Sequence, residues 1–447
     1  MQKKNIGFGF RGWMLIIYQF IAFLTFVVFT NWPMNALADM YGGQQTVSTI
    51  YTIAQVLGIA TQLILSRNIG KIKNIKVLSL ILGGLSMVFA LGIMLIQPGM
   101  LTLWYVAYFL ECFIVTIWCT FTIGILVGQW FPRRKGTVMG IVTFAFPIGN
   151  ALISAFAGSV FSTMATLGRP NIVGGFLPYF ILGCVGLLIG GIFVKDYPEQ
   201  CGAYRDNDKS FTPEVAKAMM EMEIENKKTT VWTLGNTFKS GSFWCLTIPM
   251  GLLLMTSIGL MTQTISIIGS FGYASNSKEF GMIMLGIAVV ACLGSWILGL
   301  VDTKYGTRRA LIISTVLMVV SGIFGVLGSF FATLVALACL AVFMGAASNF
   351  TVSGAVQYWR IEDFPSVFAR VNPVASLLSA FGPMVVAMLL FSKGFPDPSA
   401  AFIFTGICGV ISVILILLFK PAKVKARDDK YRAAAGKPLD EALVGRK

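Results

Sequence analysis

An acidic residue lies among aromatic ones in the stretch "LWYVAYFLECFIVTIW" (residues 103–118). Of the 19 acids in the chain, Glu111 alone falls inside a long apolar segment instead of a loop, a tail or a segment end. Spacings of three, four and seven residues place four more side chains on its helical face: Trp104, Tyr108, Trp118 and Thr122. A carboxyl in such surroundings can bind and release a proton. A permanently protonated or hydrogen-bonded structural Glu111 is the alternative.

Other chemistry-bearing residues are scarce. The chain has no histidine, and its eight cysteines include no C-x-x-C pair. We therefore expect free thiols, no metal and no cofactor. An enzyme would need a nucleophile, a metal or paired carboxylates, and one buried acid supplies none of these. The sequence predicts a protein that is not an enzyme.

The elements that position Glu111 follow from composition. The 447 residues are 56% hydrophobic and 12% charged, whereas a soluble domain has about 25% charged residues. Apolar stretches of about 20 residues, long enough to cross a bilayer as helices, recur along the chain. The sequence thus predicts an all-α integral membrane protein, with Glu111 about 15 Å deep. The twelve predicted spans are 11–33, 45–66, 76–96, 101–128, 137–159, 175–195, 243–268, 280–301, 310–330, 333–355, 371–392 and 401–419.

Basic residues are divided unequally between the two faces of the membrane. With the N-terminus inside, the outward loops hold only Arg169, Lys278 and Lys393, and the other 31 of 34 basic residues lie on the cytoplasmic side. We expect a multi-pass protein of the inner membrane with both termini cytoplasmic. The net charge of +15 then flanks membrane spans, so nucleic acid is not an expected partner.

The chain divides into two related halves. We expect a six-helix bundle over 1–195, an acid-rich cytoplasmic linker with an amphipathic helix over 196–240, a second bundle over 241–420 and a basic tail over 421–447. A shift of 236 residues superimposes Gly70 on Gly306. Two parallel repeats explain this correspondence.

At this point the sequence resembles the major facilitator superfamily. The stretch "GLVDTKYGTRRAL" (299–311) is similar to that family's loop motif of an acid, a turn glycine and a basic pair, with the leading glycine displaced to Gly299. The resemblance implies two pseudo-symmetric six-helix bundles around a central cavity, alternating access, and a monomer. It also implies that these loops latch the two halves together on the cytoplasmic side.

The latch is expected to use opposite charges. Asp302 should face the start of the fifth span near Arg134. In the first-half loop Ser66 stands where the acid belongs, and Arg67 and Lys71 are expected to pair with acids before the eleventh span instead. The alternative is topological charge with no specific pairing. The latch residues are Asp302, Gly306, Arg308, Arg309, Arg67, Gly70, Lys71, Arg134, Glu362 and Asp363.

A solute cavity would be lined by aromatic and amide side chains in the spans. Each amide could equally bond helix to helix, which is the commoner use of buried amides in membranes. The predicted cavity residues are Trp104, Tyr108, Trp118, Asn31, Tyr51, Gln55, Asn150, Gln263 and Asn349.

Two segments indicate the class of solute. "YPEQCGAYRDND" (197–208) and "QWFPRRKG" (129–136) resemble segments of organic-anion and carboxylate permeases, a branch that includes oxalate/formate exchangers and bile-acid permeases. The interiors of the eighth and eleventh spans hold no basic residue that could bind a small dianion. We therefore expect proton-coupled uptake of an amphipathic or aromatic carboxylate. Proton-antiport efflux of amphipathic drugs and organic-anion exchange are the alternatives.

Overall fold

The structure, a computed structural model, describes residues 7–67, 74–131, 134–161, 168–208, 212, 214–215, 218, 230–274, 277–360 and 363–437. Within these residues the chain is helical and contains no strand. In this described part of the chain, twelve helices are long and apolar enough to cross a membrane. We number them by span: α1 Phe10–Tyr41, α2 Gln44–Leu65, α3 Ile75–Leu95, α4 Leu101–Trp130, α5 Thr137–Phe161, α6 Ile172–Phe193, α7 Gly241–Met261, α8 Lys278–Tyr305, α9 Thr307–Val326, α10 Phe330–Ala355, α11 Ser366–Leu390 and α12 Ser399–Leu418.

The twelve predicted spans are confirmed, although several of their ends differ, three of them in ways that affect the polar residues. α1 continues past Pro33 through a π-helical turn and a 3-10 turn to Tyr41. α7 ends at Met261, and a separate short helix, Thr264–Gly269, follows it. α8 runs on to Tyr305, so Asp302 lies in its last turn. Hydropathy alone misses the first two of these ends because it does not detect irregular turns, and it misses the third because the last turn of α8 is polar.

The helices form two compact units. The first comprises Met1–Pro213, Met261–Val289 and Pro383–Asp397. In it α1 packs against α4, α5 and α6, while α3 packs against α4 and α6. The division into halves at residues 195, 240 and 420 stays a prediction. The contacts assign the segment that follows α7 to the first unit.

The second unit comprises Glu214–Leu260, Val290–Gly382 and Pro398–Lys447. Its α9 packs closely along α12, and a Cβ built on Gly322 would lie 2.4 Å from the Cα of Gly406. Small residues permit this approach, and van der Waals packing then holds the helices together. Beyond α12 lies one more helix, α13, Pro421–Ala434. The predicted linker helix lies almost entirely outside the described residues.

Candidate functional site

Glu111 lies in the middle of α4 and faces α3. Its side chain is completely buried. The hydroxyl of Ser86 donates a hydrogen bond of 2.8 Å to Oε1 of Glu111. The other carboxylate oxygen, Oε2, has no hydrogen-bond partner among the described residues. The side chains around this buried carboxyl group therefore satisfy only one of its two oxygens.

A second polar contact links the same two helices one heptad away, through Tyr18 of α1. The hydroxyls of Tyr18 and Ser79 share a hydrogen bond of 2.8 Å, and the indole N–H of Trp118 donates to the Tyr18 hydroxyl over 2.9 Å. Ser79 and Ser86 are seven residues apart on α3, as Glu111 and Trp118 are on α4. Two polar layers, about 10 Å apart by helical rise, thus connect these helices.

The aromatic residues before Glu111 pack inside the first unit. The hydroxyl of Tyr108 donates to the carbonyl of Thr30 in α1 over 2.7 Å. The ring of Trp104 stacks between Tyr41, at a centroid distance of 4.0 Å, and Tyr108, at 5.0 Å. Trp104, Tyr108 and Trp118 are fully buried by protein atoms. Their contact with a solute stays a prediction.

Sequence reasoning missed a π-helical turn beside Glu111. α4 is α-helical from Leu101 to Thr116, and Ile117–Thr122 then forms a π-helix that contains Trp118. The hydroxyl of Thr122 donates to the carbonyl of Trp118 over 2.8 Å. π-Turns are rare and concentrate at functional sites. No feature of the hydrophobic spacing signals this one.

Most of the predicted cavity amides are buried with unused hydrogen-bonding atoms. Asn31 accepts a bond of 3.2 Å from Thr30, and Gln263 donates one of 3.3 Å to Ser48. Tyr51 is buried, and Asn349 is partly exposed. The atoms without a partner among the described residues are Nδ2 of Asn31, Nε2 of Gln55, Oε1 of Gln263 and both side-chain polar atoms of Asn150.

Asn35 is a further polar residue that the sequence did not single out. Its Nδ2 donates to the carbonyl of Met261 over 3.4 Å, and its Oδ1 accepts from the backbone N–H of Ile265 over 3.4 Å. Asn35 therefore satisfies backbone groups on both sides of the break after α7. The sequence offered one signal for Asn35, namely that it is a polar residue just after Pro33, where α1 becomes irregular.

The motif loop between α8 and α9 is held within the second unit. The hydroxyl of Thr307 donates to Asp302 over 2.6 Å, and the backbone N–H of Thr307 donates to Oε1 of Gln357 over 2.7 Å. Gly306 has φ 91°, a backbone conformation that glycine adopts without strain, which explains why a glycine occupies this position. The backbone N–H of Arg308 donates to the hydroxyl of Tyr358 over 2.9 Å. Burial raises the pKa of Tyr358 to about 12, so the phenol stays neutral.

Other predicted latch residues have partners in their own unit. Arg134 lies 3.6 Å from the carboxylate of Asp206, and Asp363 lies 2.5 Å from Arg432. Arg309 contacts the ring of Tyr305 at 5.6 Å. Arg67 lies just beyond the span α2, at the end of the helix Gln44–Arg67, whereas Gly70, Lys71 and Glu362 lie outside the described residues. Pairing across the two halves stays a prediction.

Comparisons with known proteins point to one family. Residues 273–446, less than half of the chain, match the family model of the Major Facilitator Superfamily. No curated protein matches the chain. The fold is similar to that of a bacterial homologue of the human lysosomal transporter Spinster, in an inward-facing and unoccupied conformation. That match has 14% identity and a TM-score of 0.59, over 95% of this chain and 98% of that one.

A second similar structure is the major facilitator superfamily proton:xylose symporter XylE bound to 6-bromo-6-deoxy-D-glucose. It has 13% identity and a TM-score of 0.65, over 91% of this chain and 95% of that one. At such identities the likeness concerns the fold, and it extends over nearly the whole chain. The protein is therefore a multi-pass membrane protein with the fold of the major facilitator superfamily, and its C-terminal part matches that family in sequence.

Proposed function

We propose that the protein is a secondary active transporter that works by alternating access and couples uptake of an amphipathic or aromatic organic carboxylate to the movement of a proton. Support for a transporter comes from the fold and from the family match of residues 273–446. Support for the proton comes from the half-satisfied carboxyl of Glu111. That carboxyl is the observation on which the proposal depends.

The free oxygen of Glu111 needs a partner. Burying an ionised carboxylate without compensation costs several kcal/mol in a membrane protein. Ser86 compensates Oε1 only. A proton bound at Oε2 would neutralise the group, and opening of the site to water would release it again. Such a cycle is what coupling requires, because the two conformations then differ in proton affinity.

The solute class follows from the polar groups available. Within the described part of α8 the basic residues are Lys278 and Lys304, at its ends. Arg370, in α11, donates to the carbonyls of Ser366 and Trp232. Neutral donors remain, namely the unpartnered amide nitrogens of Asn31, Gln55 and Asn150. Neutral donors and apolar walls suit a large carboxylate whose charge is balanced by the proton.

The decisive experiment is uptake into proteoliposomes under an imposed pH gradient. The panel contains monocarboxylates, bile acids and cationic dyes. Wild-type protein should accumulate a carboxylate at least about tenfold faster with the gradient, and Glu111→Gln should lose this response. Glu279→Gln removes an exposed carboxyl at the start of α8 and serves as the matched control. If Glu111→Gln responds to the gradient as wild type does, Glu111 is not the coupling site.

The same assay separates the alternatives. Gradient-driven movement of cationic dyes out of the proton-poor compartment, with no carboxylate uptake, would favour drug efflux by antiport. Gradient-independent exchange that requires a carboxylate on both sides would favour organic-anion exchange. Either result would replace the symport proposal.

Asn150 offers a test of solute binding. Both polar atoms of its side chain lack a partner among the described residues, so Asn150→Leu should leave the thermal stability unchanged or raise it. If Asn150 donates to the solute, the KM should rise roughly 3- to 10-fold, the equivalent of one lost hydrogen bond. An unchanged KM would show that Asn150 does not contact the solute.

A further inference from the structure

The helix after the last span, α13, is attached to the second unit by one face. Val424, Asp428 and Arg432 recur every four residues on that face and are buried. The hydroxyl of Tyr431 donates to the carbonyl of Asn236 over 3.4 Å. The position of α13 relative to the start of α7 is therefore set by contacts over its length.

The buried face carries a network of paired charges. Arg360, just beyond α10, lies 2.8 Å from Asp428. Arg432 lies 3.1 Å from Asp428 and 2.5 Å from Asp363. Two polar groups before α7 complete the set, because Thr230 donates to Asp363 over 2.6 Å and the indole of Trp232 donates to Asp428 over 2.8 Å. The buried charges thus neutralise one another, and this fixes the orientation of the helix.

A neighbouring flank of α13 carries only positive charge. Lys423, Arg427 and Lys430 follow one another at spacings of four and three residues, which places them on one stripe of α13, and Lys420 immediately precedes the helix. The three lysines are exposed. Neither Asp428 nor Asp429 falls on that spacing. The stripe is therefore a run of cations without an acid.

Exposed apolar side chains adjoin this stripe. Arg427 donates to the carbonyl of Lys239 over 2.8 Å, which joins the stripe to the short helix Leu234–Phe238. Phe238 stacks on Trp244 at a centroid distance of 5.6 Å, and both rings are about a third exposed. Tryptophan rings with lysines beside them at the end of a span are typical of the membrane interface.

We propose that this surface, the basic platform of Lys239, Lys420, Lys423, Arg427 and Lys430 with Phe238 and Trp244, binds the headgroups of anionic phospholipids. α12 ends at Leu418 and α7 begins at Gly241, so the platform lies at the depth of the headgroups. Each lysine near an anionic surface contributes about a fivefold gain in affinity. The charge complementarity selects anionic over zwitterionic lipid, and the aromatic rings insert beside the headgroup.

The test uses the delipidated full-length protein in a neutral detergent, titrated with phosphatidylglycerol or phosphatidylcholine and followed by native mass spectrometry. Wild type should bind phosphatidylglycerol in preference to phosphatidylcholine. The double variant Lys423→Gln/Lys430→Gln should weaken that binding roughly 30-fold. The matched control Lys304→Gln/Lys425→Gln removes two exposed lysines that lie off the platform.

Thermal unfolding without lipid should be the same for both double variants, because all four side chains are exposed. Equal binding of the two lipids by wild type would overturn the proposal. An equal loss of phosphatidylglycerol binding in the control double variant would also overturn the proposal. Displacement of the lipid by a low concentration of a poly-glutamate peptide would overturn it as well. None of these outcomes depends on transport, so the proposal stands or fails separately from the proposed function.

Discussion

Among single residues, Gly83 is where α3 approaches its neighbours most closely near Glu111. A Cβ at Gly83 would lie 2.4 Å from Leu187 and 2.8 Å from the ring of Trp118. The adjacent Gly84 has nothing within 4 Å of the same position. Two adjacent glycines therefore have different roles, and only the first permits the close approach of α3 that brings Ser86 against Glu111 in α4.

This difference gives a prediction at the residue scale. Gly83→Ala should lower the free energy of unfolding by about 1–3 kcal/mol, because the added methyl overpacks a filled interface. Gly84→Ala is the control and should leave stability nearly unchanged. Thermal unfolding of both variants in the same detergent measures the difference. Equal melting temperatures would show that the α3–α4 contact is looser than described.

At the scale of elements, the N-terminus of α3 depends on a residue from the end of α6. Asp196 accepts a hydrogen bond of 2.6 Å from the backbone N–H of Lys76. Burial raises the pKa of the Asp196 carboxyl above its ordinary value of 3.8, and the Lys76 N–H offsets part of that rise. The folded state therefore binds a proton at Asp196 more readily than the unfolded chain does.

The sign of the pH dependence follows from linkage. The contribution of Asp196 to stability is fully present below about pH 3.8 and is lost as pH rises through the raised folded pKa. Asp196→Asn should remove this decline. The free energy of unfolding, measured from pH 3.5 to 6, tests this expectation. Glu279→Gln, which removes an exposed carboxyl, is the control. If the stability of Asp196→Asn depends on pH as that of the wild type does, Asp196 is not the group responsible for the decline.

The attachment of α13 gives a second prediction at this scale. Arg432→Met removes the guanidinium that contacts both Asp363 and Asp428 in a buried site, so we expect a loss of about 3–5 kcal/mol in the stability of the tail region. Lys430→Met, on the exposed flank, should have little effect. Trypsin cleavage after Lys423 and Lys425 measures release of the helix. If Arg432→Met is cleaved no faster than Lys430→Met, the buried charges do not hold α13.

For the whole molecule, the asymmetric distribution of charge predicts the orientation in the membrane. Because 31 of 34 basic residues fall on one predicted side, both termini should be cytoplasmic. A fluorescent protein that folds only in the cytoplasm should be bright when fused to the C-terminus and dark when fused after Gly168. The reverse pattern would invert the orientation and, with it, the direction of the proposed uptake.

How far the sequence predicted the structure depends on the range of the interaction. Apolar runs and the helical period are local, so the twelve spans and the burial of Glu111 were readable from the chain. The partner of Glu111 was not, because Ser86 is one of two serines in α3 and only packing selects it. The π-turn after Thr116 was also missed, since no residue pattern requires it.

The sequence by itself determined that this is a polytopic helical membrane protein with one acid deep in an apolar segment, because hydropathy and charge act residue by residue. Only the tertiary structure decided which carboxylate oxygen of Glu111 is bonded and which is free. It alone paired Asp363 with Arg432, 69 residues further along the chain. Such pairings depend on how distant helices pack, and side-chain spacing along one helix carries no information about the neighbour it meets.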